Sequence, residues 1–185
     1  MGQKKKQVKL TSRELCYIGI FAAIIAICAQ ISIPQPGGVP FTLQAWAISL
    51  AGLVLGAKNA TIATVVYIIL GAVGAPVFAE FSGGFGVILR PTGGFILSFP
   101  IMALLAGLPS KKGGVIWQLL GLSAGSIINL GAGLFWFNRV TELGLAVSFS
   151  YSVAPFIIIT IVRTAVLPLI GRKITSAMQK ANLDI

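Results

Sequence analysis

Apolar residues in this chain fall into six long runs, 12–33, 41–56, 60–75, 92–108, 114–137 and 154–171, separated by short breaks. A chain that is 56% apolar and 10% charged has almost nothing to place on a water-facing surface. The run lengths match bilayer crossings, since about 17 to 22 residues of helix span the hydrocarbon. Six such helices use most of the 185 residues, so no soluble catalytic domain fits beside them. The expectation is a single all-α integral membrane domain over 1–185, with six transmembrane helices and short basic tails at 1–11 and 174–185.

The breaks also orient the chain. Of the 14 Lys and Arg residues, 11 lie before or in the first turn of the first run, after the last, or in the second-to-third and fourth-to-fifth breaks. These are Lys4, Lys5, Lys6, Lys9, Arg13, Lys58, Lys111, Lys112, Arg172, Lys173 and Lys180. The positive-inside rule then makes both termini cytoplasmic. Basic residues scattered around apolar spans suit an anionic inner leaflet and do not form a nucleic-acid surface. The Lys-rich start followed by Leu15 to Ile33 could pass for a signal peptide. However, the run is too long for one, Ile27 before Cys28 is too large for lipoprotein cleavage, and Thr11 with Glu14 has capping-box spacing. Cys16 and Cys28 are isolated thiols in a chain without histidine, so neither a disulfide framework, a metal site nor a cofactor is expected.

Two outer connections stand apart. Residues 34–40 are rich in Pro and Gly, and 76–91 (PVFAEFSGGFGVILRP) is too apolar to hang in water. Irregular backbone at membrane depth is tolerated where protein or a cavity surrounds it, so 76–91 reads as a packed loop or the wall of a ligand site.

The segments VPFTLQ (39–44), AGLVLGAKNA (51–60), LGAVGAPVFAEFSGGFGVILRPTGG (70–94) and GLSAGSIINLGAGLFWF (121–137) resemble the BioY family in order and spacing over essentially the whole chain. The resemblance implies an S component, the substrate-capturing membrane subunit of an energy-coupling factor (ECF) vitamin importer, with biotin as the usual ligand. It also implies an EcfT-type coupling subunit and two ATPases as partners in a bacterial or archaeal cell membrane. The residues agree that the chain cannot drive uptake alone: it has no GxxxxGK[ST] loop and no Asp or Glu at mid-span to carry a proton. Glu80 and Glu142 fall in outer connections. A membrane enzyme lacks its usual equipment here, with no catalytic residues to name, and a homo-oligomeric channel is the other rival class. Small residues on the first span, including Ala22 and Ala26, resemble the AxxxA element that S components present to EcfT.

Ligand chemistry centres on Arg163, because a mid-helix guanidinium costs about 2.5 to 3.5 kcal/mol on insertion scales and needs an offsetting partner. That partner is a ligand carboxylate or carbonyl, or else Glu80 or backbone carbonyls. Thr160 shares its face at i−3. Here the chain departs from the family, whose corresponding segment usually reads PFxxxDxxK; Thr160 stands for the acid and Arg163 for the lysine. The two ureido N–H groups of biotin want an acceptor, so the change opens lipoate, which lacks them, or another ring-plus-carboxylate vitamin, as an alternative ligand. Arg90 beside Pro91 is a further carboxylate clamp or a snorkelling residue. Gln44, Asn129, Gln30 and Ser32 either orient a ligand or bond a neighbouring helix. Phe41, Trp46, Phe78, Phe81 and Phe85 either line a ring pocket or form the interfacial belt.

Overall fold

The computed structural model describes residues 10–109 and 114–183, leaving Lys4, Lys5, Lys6, Lys9, Lys111 and Lys112 outside the described residues. The fold is all-helical apart from a two-residue antiparallel pair. In chain order it comprises α1 (Ser12–Gln30), β1 (Ser32–Ile33), β2 (Phe41–Thr42), α2 (Gln44–Ala72), a 3-10 turn at Ala79–Phe81, α3 (Phe85–Ile88), α4 (Gly93–Gly107), α5 (Val115–Thr141), α6 (Leu145–Ser152) and α7 (Ala154–Lys180). Four of these, α1, α2, α5 and α7, are long and apolar enough to cross a membrane, and α4 is a shorter apolar helix.

α1 begins as its sequence dictates. Thr11 accepts from the Glu14 amide at 3.2 Å, and the Glu14 carboxylate accepts in return from the Thr11 amide at 2.8 Å. The 29 residues of α2 are not one rod. Gly56 sits at φ 78°, ψ 170°, which breaks the helix at a conformation glycine adopts without cost. In a straight helix Gln44 and Tyr67 would be about 34 Å apart, yet the Gln44 amide nitrogen donates to the Tyr67 hydroxyl. The chain therefore folds back at Gly56, and α2 is a hairpin whose arms correspond to the second and third apolar runs.

Close backbone approach binds this hairpin to α4. A Cβ added at Gly107 would lie 2.4 Å from the Ala57 nitrogen, and Ala103 and Ala106 beside it are fully buried. α4 approaches α5 in the same way, where a Cβ on Gly94 would meet the Ala132 carbonyl at 2.5 Å. Small residues are what membrane helices use to gain packing contact without a hydrophobic driving force. The outward faces remain apolar, with Ile20, Ile27, Leu97, Ile127 and Ile158 exposed, as lipid contact requires.

The two ends of the bundle differ in charge. The Lys58 ammonium lies 3.5 Å from Glu14, and Asn59 donates to the same carboxylate at 3.3 Å, placing the hairpin apex beside the start of α1. Arg13 donates to the Asn182 carbonyl at 3.1 Å and Tyr17 to that of Leu183 at 2.8 Å, so the end of α7 joins them. Several boundaries differ from expectation. α1 stops at Gln30, because 32–33 pair with 41–42 as a short ribbon. α7 continues to Lys180, so 174–180 is helix and not tail. α6 fills much of a break read as loop.

Candidate functional site

At the end opposite the basic cluster lies a cavity of about 220 Å³, room for a small molecule and not just a water or two. Its walls come from the β1–β2 connection, the first turn of α2, segment 78–92, α4, α5 and the N-terminal half of α7. The 34–40 and 76–91 connections thus meet over one space, Val39 and Pro40 from the first and Phe78 through Arg90 from the second. Phe41 stacks on Phe156 at 6.3 Å, and Phe95 meets the same ring at 6.3 Å, giving an apolar wall.

Arg163 reaches this cavity from α7, nine residues after Ala154, about 13 Å along the helix. It is 5% exposed. One terminal nitrogen donates to Ser126 Oγ at 2.7 Å, while Nε is buried without a partner. Ser126 gives its own proton to the Leu122 carbonyl at 2.7 Å, so it can only accept from the guanidinium. No carboxylate offsets the charge; among the described residues the ion pair formed is Lys58 with Glu14. Glu80 borders the cavity without bonding Arg163. A second buried donor, Trp46 Nε1, is also unpartnered on the cavity wall. Buried polar groups left unpaired cost stability unless something arrives to meet them.

Of the residues singled out from sequence, Arg163, Thr160, Arg90, Gln44, Asn129 and Glu80 all border the cavity. Phe81 does not: it is 71% exposed, and its backbone turns it outward at φ 53°. Phe85 is exposed as well, whereas Phe41, Trp46 and Phe78 do line the space. Gln44 is committed to the fold, donating to Tyr67 and accepting from Thr42 at 3.1 Å. Arg90 stands exposed at the mouth, with its carbonyl held by Trp136 Nε1 at 3.0 Å. Sequence reasoning missed Ser126 and Ser98, hydroxyls that hold Arg163 and Asn129; their placement one turn or one helix away from a buried polar residue was the available signal.

Gln30 fastens the wall formed by segment 77–81. Its amide nitrogen donates to the carbonyls of Ala26, Val77 and Phe78 at 3.0, 3.3 and 3.1 Å, and its oxygen accepts from the Phe81 amide at 2.8 Å. Glu80 and Phe81, both left-handed at φ 58° and 53°, are held in that unfavourable backbone state by these bonds. The small-residue face of α1 also needs correction. Ala22 is 5% exposed in the core, and Ala26, half-buried, packs against it, so this pair lies mainly on the inward side. The small residues that face outward are Gly19 and Ala23, with Cys16 on the same stripe.

Comparison with known proteins places this geometry. The BioY family model matches residues 3–180. A probable biotin transporter BioY of Pyrococcus horikoshii is 40% identical over 165 residues, covering 89% of this chain and 98% of that protein. A biotin transporter BioY of Thermotoga maritima is 40% identical over 164 residues, covering 88% and 95%. The crystal structure of an S-component for biotin from an ECF-type ABC transporter superposes with a TM-score of 0.80 at 24% identity, over 91% of this chain and 95% of that one, a likeness of fold. With a family match that runs from the N-terminal tail to the last turn of α7 and relatives aligned over nearly their full length, the chain belongs to the BioY family.

Proposed function

We propose that this multi-pass cell-membrane protein is the biotin-binding S subunit of an ECF-type importer and captures the vitamin from the outer side. The observation that carries the reading is Arg163: a buried guanidinium with an unpartnered Nε, on the wall of a cavity at the end away from the basic cluster. A ligand acceptor completes what the protein leaves open. Relatives named for biotin transport support the same ligand. The chain crosses the bilayer six times in this reading, as α1, the two arms of α2, α4, α5 and α7, with both termini cytoplasmic. It supplies no energy itself, so an EcfT-type subunit and two ATPases drive release inward. Gly19 and Ala23 on α1 offer the partner-facing surface.

The decisive measurement is equilibrium binding of labelled biotin to the solitary purified subunit. One biotin per chain is expected, and mass spectrometry of the small molecules that copurify should find biotin. Failure to bind biotin, or a different vitamin at full occupancy, overturns the reading. A second expectation concerns the wall: Gln30→Leu should raise the biotin dissociation rate about tenfold, as loss of hydrogen bonds to the strained segment lets it open. The association rate should change little. A chase of bound label with excess biotin measures this, and an unchanged release rate removes Gln30 from the gate.

A further inference from the structure

Asn129 follows Ser126 by one turn of α5, so its carboxamide neighbours the hydroxyl that accepts from Arg163. Its nitrogen is fully used, donating to the Phe95 carbonyl at 3.0 Å and to Ser98 Oγ at 2.8 Å. A backbone carbonyl can only accept. The Ser98 proton is itself given to the Gly94 and Phe95 carbonyls at 2.8 and 3.0 Å, so neither group could face the amide oxygen. The amide therefore has one orientation, with Oδ1 directed away from both partners. Among the described residues that oxygen has no donor, although Asn129 is 5% exposed and borders the cavity. Thr160 adds to the pattern. The hydroxyls of Thr64, Ser126 and Thr175 each donate to the carbonyl four residues back, but Thr160, also on the cavity wall, makes no such bond.

The cavity floor therefore offers free donors on Arg163 next to free neutral acceptors on α5 and α7. We infer that Asn129 Oδ1 is the specificity-determining acceptor for a ring N–H of the ligand, with Thr160 Oγ1 receiving the second N–H and Arg163 the carbonyl between them. This rests on the biotin reading above and names how the cyclic urea is met without an acid at position 160. A carboxylate there, one turn from Arg163, would pair with the guanidinium. Neutral acceptors leave Nε of Arg163 for the ligand carbonyl. A ring without N–H donors, such as the dithiolane of lipoate, leaves Oδ1 desolvated and unpaired, which selects against it.

The test is a binding cycle between protein and ligand. Biotin and an analogue with both ring nitrogens replaced by oxygen are titrated into wild type and Asn129→Leu. Wild type should prefer biotin by roughly 10- to 100-fold, and Asn129→Leu should lose most of that preference. A merely structural role for Asn129 would weaken both ligands alike and keep the ratio, which overturns the inference. If Asn129→Leu does not purify folded, Asn129→Ser, too short to reach the ring, gives the same comparison with the same deciding ratio. Wild type that binds no biotin defeats the functional reading itself, whereas wild type that binds biotin and the oxygen analogue equally defeats only the role of Asn129.

Discussion

Arg163→Met is expected to weaken biotin binding by roughly 10- to 100-fold, the range for a hydrogen bond to a charged donor inside a cavity. Methionine keeps the apolar stem that packs against α5 and removes only the guanidinium. Arg163→Lys should lose less, because the charge remains while the planar fork that serves Ser126 and the ligand together is gone. The loss should be nearly independent of ionic strength, since the group is 5% exposed and salt screens exposed charges far better. A second readout separates a ligand role from a structural one. In the empty protein Nε is a buried donor without a partner, so its removal should leave the unliganded melting temperature unchanged or raised. The upward shift that biotin gives the wild type should shrink in the variant. Unchanged affinity in Arg163→Met ends the assignment, and a large fall in unliganded stability would mean that the guanidinium holds the fold.

The contrast between Arg163 and Ala22 shows what the sequence could and could not convey. A charge at mid-span is costly wherever it points, so its presence alone implied a polar interior and a partner. The structure supplies the polar interior as a cavity, and it meets one guanidinium nitrogen with Ser126, a partner the sequence reading did not name. Small residues at i and i+4 carry no such information about direction. In a membrane helix both the inward and the outward face are apolar, so hydropathy cannot set the rotational phase of α1. Ala22 and Ala26 have the right spacing on the inward side, and only packing against α2 reveals it. The reversal at Gly56 was legible for a different reason, since Lys58 and Asn59 are poor residues for mid-bilayer and mark an end. The Asn129 orientation was not legible. It depends on Phe95 and Ser98, over thirty residues away, whose approach is made possible by glycines on the α4–α5 contact. The ribbon at 32–33 and 41–42 and helix α6 escaped because each is too short for periodicity to emerge from its surroundings.

Correcting the face of α1 changes which substitutions should uncouple transport. Gly19→Trp combined with Ala23→Trp is expected to reduce ATP-dependent biotin uptake by the reconstituted complex to background, while the solitary subunit binds biotin with affinity within about twofold of wild type. A Cβ added at Gly19 meets no other element of the described residues within 4 Å, and Ala23 is exposed, so the bulk goes outward. The cavity lies at the other end of the molecule from the start of α1, and neither residue borders it. Ala22→Trp should behave in the opposite way. At 5% exposure it has no room, and overpacking a membrane core costs about 1 to 3 kcal/mol, so folding yield and binding should fall with transport. Measuring binding and uptake in both variants separates a docking face from a packing face. If the Gly19 and Ala23 substitutions leave uptake intact, the partner engages a different surface; if they abolish binding too, α1 transmits strain through Gln30 to the cavity wall, and the two functions of the helix are not separable.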